Sequence, residues 1–98
     1  MYEIRRTDVF SNWLDGLKDP RARVRILSRL DRAAEGNLGD TKSVGETVSE
    51  LRINYGPGYR IYYTRRRKII VVLLVGGDKS TQDKDIKRAI QLARDLEE

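Results

Sequence analysis

Lys68-Ile69-Ile70-Val71-Val72-Leu73-Leu74-Val75 constrains this chain more than any other stretch. Its β-branched content favours a strand. Its lack of polar alternation predicts a strand buried on both faces, near the middle of a sheet. The apolar part, Ile69 to Val75, is seven residues, far short of the ~20 that cross a bilayer. No apolar signal core follows Met1-Tyr2-Glu3-Ile4-Arg5-Arg6, so a soluble, cytoplasmic protein with no membrane partner is expected. A chain of 98 residues builds one modest core, which makes 1–98 a single domain organised around covering that strand.

The flanking punctuation supplies the cover. Met1–Arg6 reads as a short strand. Thr7 or Asp8 can cap a helix with Val9, Phe10, Trp13, Leu14 and Leu17 on one side, ended by Lys18-Asp19-Pro20. Asp19 and Pro20 then suit the N-cap and first position of a second helix. The spacing turns Val24, Leu27, Leu30 and Ala34 inward and Arg21, Arg25, Arg29 and Arg32 outward, with Gly36 as the stop. Residues 36–47 read as a loop with room for a short edge strand. Val48–Tyr55 and Tyr59–Thr64 alternate about Gly56-Pro57-Gly58, a turn signal. After the apolar strand, Gly76-Gly77 and a Ser80-Thr81-Gln82-Asp83 capping box lead to a helix with Ile86, Ala89, Ile90, Ala93 and Leu96 at helical spacing. The expected fold is α+β, in the order β-α-α-β-β-β-α: a helical hairpin packed on a largely antiparallel sheet, closed by a C-terminal helix.

Charge narrows the partners. The net charge of +5 sits entirely in residues 51–98, and between Leu51 and Lys79 seven basic residues meet one acid, Asp78. A stretch this positive points to a polyanion. The chain has neither cysteine nor histidine. That excludes disulfides, thiolate metal sites, Ser-His-Asp and Cys-His nucleophile systems and an imidazole base.

Three constellations carry the remaining chemistry. In a three-residue hairpin loop Tyr55 pairs with Tyr59 and Arg52 faces Tyr62, so Arg52, Arg60 and Tyr62 share a sheet face with Glu50 and Thr64. The plainer alternative is an open face on which Arg52 pairs with Glu50 or Glu46. Gly76-Gly77-Asp78-Lys79-Ser80-Thr81 places glycines, a helix N-terminus and the Lys79 ammonium together, a weak anion-site signal that lacks P-loop spacing. Arg65-Arg66-Arg67-Lys68 is either a solvated run or an RNA contact, with Tyr62 as a ring for base stacking. RNA carries its own nucleophile, the 2′-hydroxyl. A nuclease built on Arg52, Arg60 and Lys79 therefore needs to align it, grip the phosphate and manage two protons. Asp85, a lysine of lowered pKa or the substrate's own surroundings are the candidate bases.

Val48-Ser49-Glu50-Leu51-Arg52-Ile53, Gly56-Pro57-Gly58-Tyr59-Arg60-Ile61-Tyr62-Tyr63, and Gly76-Gly77-Asp78-Lys79-Ser80-Thr81-Gln82 with Asp85-Ile86 closely resemble the HigB-like, phage-derived group of the RelE/ParE superfamily. The resemblance spans essentially the whole chain. It implies a bacterial type II toxin, a metal-independent mRNA interferase that cuts message on the ribosome and stops translation. It also implies a cognate antitoxin of helix-turn-helix type, bound in a hetero-oligomer, and no cofactor. The family's basic residues fall on Arg52, Arg60 and Lys79. Several relatives carry a tyrosine or histidine near the last helix or the C-terminus, where this chain has Gln82, Asp83 and Asp85 and no tyrosine after Tyr63. Two other readings stay open: a ParE-like inhibitor of DNA gyrase on the same fold, and a small, non-toxic RNA-binding domain.

Overall fold

Strands and helices follow the expected order with one addition. The computed structural model describes residues 1–96. It contains β1 (Glu3–Arg6), α1 (Asp8–Asp15), α2 (Pro20–Ala34), β2 (Thr41–Gly45), β3 (Val48–Ile53), β4 (Tyr59–Arg66) and β5 (Ile70–Asp78). One 3-10 turn, Lys79–Thr81, then leads into α3 (Gln82–Asp95). The five strands form one sheet in the order β1-β5-β4-β3-β2, antiparallel except where β1 runs parallel to β5. The addition is β2, the edge strand for which the 36–47 loop left room.

β5 has strands on both sides and cover on both faces: Val71 through Gly77 are all buried. One face belongs to a core of Phe10, Leu14, Ala22, Ile26, Leu30, Ile61, Tyr63, Val71 and Leu73 under α1 and α2. The other carries Val48, Tyr62, Val72, Leu74 and Val75 against Ala89 and Ala93 of α3. A bulge opposite Tyr62 and Tyr63 lets Leu74 and Val75 enter the same layer, and it resets the alternation beyond them.

Capping fixes where α1 and α2 begin. The Thr7 hydroxyl accepts the Phe10 N–H at 3.1 Å and donates to the Leu74 carbonyl at 2.7 Å, so one side chain starts α1 and ties it to β5. Asp19 caps α2 through the Arg21 N–H at 2.9 Å, with Pro20 in its first turn. The inward stripe of α2 differs from the expected one. Ala22, Ile26, Leu30 and Ala33 face the sheet, whereas Val24 is 65% and Leu27 36% exposed. Both stripes fit a 3.6-residue period and share Leu30. The small alanines let α2 lie close to the sheet. Arg29, expected to point outward, instead donates to the carbonyls of Arg52 at 2.6 Å and Leu38 at 3.1 Å.

The β3–β4 connection is also longer than expected. Ile53 pairs with Tyr59, so residues 54–58 form the loop, and Arg52 stands opposite Arg60 rather than Tyr62. The slip is two residues, an even number, so every side chain keeps its face.

Gly76 and Gly77 point to opposite layers and admit no side chain. A Cβ on Gly76 would overlap the Trp13 indole, and one on Gly77 would overlap the Asp85 carboxylate. Gly76→Ala should therefore force Trp13 aside and destabilise the fold by about 1–3 kcal/mol. Urea unfolding followed by Trp13 fluorescence measures this, with unchanged stability the contrary result.

Candidate anion cleft

The sheet face under α3 becomes polar toward the end of β4 that bears Tyr59. Arg52 and Arg60 are cross-strand partners there, and Gly77 pairs with Arg60 from the other side. Lys79 follows two residues later, its Cβ beside Gly58 of the hairpin loop. Arg52, Arg60 and Lys79 thus line one open cleft of about 400 Å³, together with Asp40, Asn54 and Gly58.

Two carboxylates share it. Asp40 accepts from Arg52 Nη2 at 2.9 Å, in a pair whose side chains are 37% and 61% exposed. Glu50 lies beneath, only 2% exposed, with Arg52 Nε at 3.8 Å and Arg60 Nε at 3.7 Å. Neither distance is a hydrogen bond. The hydrogen bond that Glu50 Oε1 does accept comes from Gln82 Nε2 at 3.3 Å, and both arginine Nε atoms are left without a partner. Glu50 therefore supplies a field that holds both guanidinium groups near it without fixing their terminal N–H groups. Arg60 Nη1 donates to the Gly58 carbonyl at 2.9 Å. The alternation of β3 put Glu50 on the arginine face, but its burial depends on α3, which no local pattern could place. Glu46, the other acid considered for Arg52, binds Arg94 instead.

Tyr62 is fully buried in the α3 layer and presents no ring to solvent, which corrects its assignment as a stacking platform. Burial pushes its phenol up, with Glu50 and then Asp85 adding to the shift and Arg60 opposing it. Burial likewise raises Tyr59. The basic run lies elsewhere too. Arg66 is six residues from Arg60 along β4, about 20 Å at ~3.3 Å per residue, so the run sits at the far end of the strand. Arg65 packs over the Tyr2 ring, and Arg66 donates to the Leu96 carbonyl at the end of α3, where a cation also meets the helix dipole. Arg67 and Lys68 form the β4–β5 turn with positive φ.

The strand-to-helix junction differs from the expected capping box. Asp78 accepts from the Ser80 N–H at 2.8 Å, so that donor of the turn is already engaged. Thr81 makes no side-chain cap for α3 and donates instead to Asp85 Oδ2 at 2.6 Å. Asp85 is 7% exposed, lies against Gly77, the cross-strand partner of Arg60, and has its Oδ2 occupied by the Thr81 hydroxyl. The two glycines serve Trp13 and Asp85 rather than close approach of a ligand.

Two stability measurements test this account. Glu50→Ala removes the shared counter-charge of two partly buried arginines and should cost about 2 kcal/mol. Asp40→Ala, losing only an exposed pair, should cost less than about 0.5 kcal/mol. Equal losses in denaturant titrations would contradict the distinction. Tyr62 and Tyr59 keep their protons in the folded chain above the ordinary tyrosine pKa of ~10, where the unfolded chain loses them. Stability should be unaffected by these groups below that pH and fall as pH rises beyond it, with late phenolate absorbance from Tyr59 and Tyr62.

Comparison with other proteins places this geometry in context. Residues 12–98 match the family described as phage derived protein Gp49-like (DUF891). A Haemophilus influenzae protein, described only as uncharacterized, is 50% identical over 94 residues, covering 96% of this chain and 95% of its own length. The crystal structure of the isolated E. coli RelE toxin superposes with a TM-score of 0.67 at 16% identity, over 90% of this chain and 98% of that one. A likeness at that identity speaks for the fold, and the α+β order anticipated from the motifs is the one it shares. By its sequence over nearly its full length, the chain belongs to the phage-derived Gp49-like family, a RelE/HigB-type toxin family.

Proposed function

We propose that this protein is the toxin of a type II toxin–antitoxin pair, and that it acts as a metal-independent endoribonuclease on mRNA at the ribosome. The observation that carries the reading is the convergence of Arg52, Arg60 and Lys79 on one open cleft in a chain of this family. A phosphodiester entering the cleft meets two guanidinium groups able to make forked bonds to its non-bridging oxygens. It displaces Asp40 at little cost, because the exposed Arg52–Asp40 pair is worth roughly 0–1 kcal/mol. The 2′-oxygen attacks the adjacent phosphorus and loses its proton. The bond to the 5′-oxygen breaks, leaving a 2′,3′-cyclic phosphate and a 5′-hydroxyl. Arg52 and Arg60 stabilise the charge that builds on the phosphorus oxygens, and the Lys79 ammonium protonates or polarises the departing oxygen. The substrate brings the nucleophile, so the step calls on no cofactor. The proton from the 2′-hydroxyl goes to a group supplied by the ribosome-bound message or its surroundings. That would make cleavage depend on the ribosome.

The same arrangement favours a second reading, a ParE-like gyrase inhibitor. Both carboxylates at the cleft are engaged by arginines, the chain has no histidine, and Asp85 is buried and accepts from Thr81. The proposed partners are a helix-turn-helix antitoxin forming a hetero-oligomer with the toxin, and mRNA in the cytoplasm.

Induced expression separates the readings. Wild-type protein should arrest growth and give discrete, codon-phased cuts by primer extension. Arg60→Ala should lower cleavage by about 10²–10³-fold and relieve arrest while still co-purifying with its antitoxin. Arrest with SOS induction and intact message would establish the gyrase reading instead. Full toxicity of Arg60→Ala at equal expression would remove Arg60 from the centre of either.

A further inference from the structure

A second concavity, larger than the cleft, runs along the solvent side of α2. It encloses about 660 Å³, and its walls are Arg21, Arg25, Arg29 and Arg32 with Val24 between them. Ile53 and Asn54 line both this groove and the cleft, so the two adjoin at the end of β3. We infer that the α2 groove holds the RNA strand as it leaves the cleft, gripping its phosphates with an arginine row; the inference rests on the cleft being an RNA site.

The arginine spacing is the first ground. Steps of four, four and three residues keep the row on one side of the helix, with rises of about 6, 6 and 4.5 Å. No carboxylate lines the groove, and among the described residues Arg21, Arg25 and Arg32 enter no ion pair. Arg29 is anchored inward on two carbonyls; burial lowers its pKa, with Arg32 adding to the shift and Asp40 opposing it.

A second ground is Arg25. Its guanidinium lies 4.6 Å from the centroid of the Tyr55 ring, and the Tyr55 hydroxyl donates to Asp19 Oδ2 at 3.2 Å. The carboxylate that caps α2 thus braces the ring, and the ring braces a flat cation at the groove wall. A guanidinium held on a ring at the groove wall is placed to meet a nucleic-acid strand.

Chemistry favours RNA over an acidic protein here. Protein interfaces centre on clustered aromatic and aliphatic anchors, whereas the groove offers one exposed aliphatic side chain, Val24. Nucleic-acid interfaces are strongly positive, and four arginines line this groove.

Binding of 2′-O-methyl RNA, which cannot be cleaved, tests the inference on the full chain. Oligomers of about 4 and about 16 nucleotides separate the cleft from the groove. Arg21→Ala/Arg25→Ala/Arg32→Ala should weaken the long oligomer by about 10–100-fold at moderate salt. It should also make the log–log salt slope shallower by about 2, as expected for three lost contacts at ~0.7 each. The short oligomer should bind as before. Arg32→Glu alone, a surface change, should act in the same direction while circular dichroism reports an intact fold. If wild-type protein holds the short oligomer and gains nothing from the long one, or if the triple variant weakens both equally, the groove is not an RNA track. If wild-type protein binds neither length, the cleft reading itself falls. Loss of antitoxin binding in the triple variant with long-RNA binding intact would assign the groove to a protein.

Discussion

Burial of both faces of β5 is the constraint from which the architecture follows. A strand with apolar residues on each side needs a layer on each side and a neighbour at each edge. The chain meets this by sending β1 to one edge in parallel and β4 to the other in antiparallel pairing, with α1 and α2 above and α3 below. The polar cleft is a by-product of where that cover ends. Beyond Val75 the strand continues as Gly76-Gly77-Asp78, the apolar layer stops, and Arg60 and Arg52 occupy the same face that Tyr62 fills further in.

The electrostatics of the cleft are graded rather than simply positive. Glu50 is buried and lies between two guanidinium groups at distances too long for hydrogen bonds. Asp40 is exposed and within hydrogen-bond distance. The inner acid sets the arginines in place, and the outer acid is readily exchanged for another anion. Three cations against two carboxylates leave the cleft with a net positive charge, as an anion site requires.

Much of this was legible in the chain. The β5 run, the Thr7 and Asp19 caps, the Gly36 stop and the alternation around Gly56-Pro57-Gly58 each carry their reason within a few residues, and the element order followed from them. The site was legible in part: alternation put Glu50, Arg52 and Arg60 on one face even though the loop length was wrong, because the error was even. What failed was non-local. The two stripes on α2 are equivalent by period, and only the tight fit of Ala22 and Ala33 against the sheet selects between them. The burial of Tyr62 and Glu50 depends on α3, some twenty or more residues away in the chain. The basic run Arg65–Lys68 is near Arg60 in sequence and far from it in space because a strand is extended.

The glycine pair has a consequence for how Lys79 is presented. With Trp13 pressed on one residue and Asp85 on the next, the peptide leading to Lys79 is clamped from both layers, and Asp78 secures the turn that follows. Only the rotors of the ammonium's own stem remain to be frozen when an anion arrives. Ordering entropy that a mobile loop would lose on meeting an anion has already been surrendered during folding, so the backbone that presents Lys79 is pre-organised.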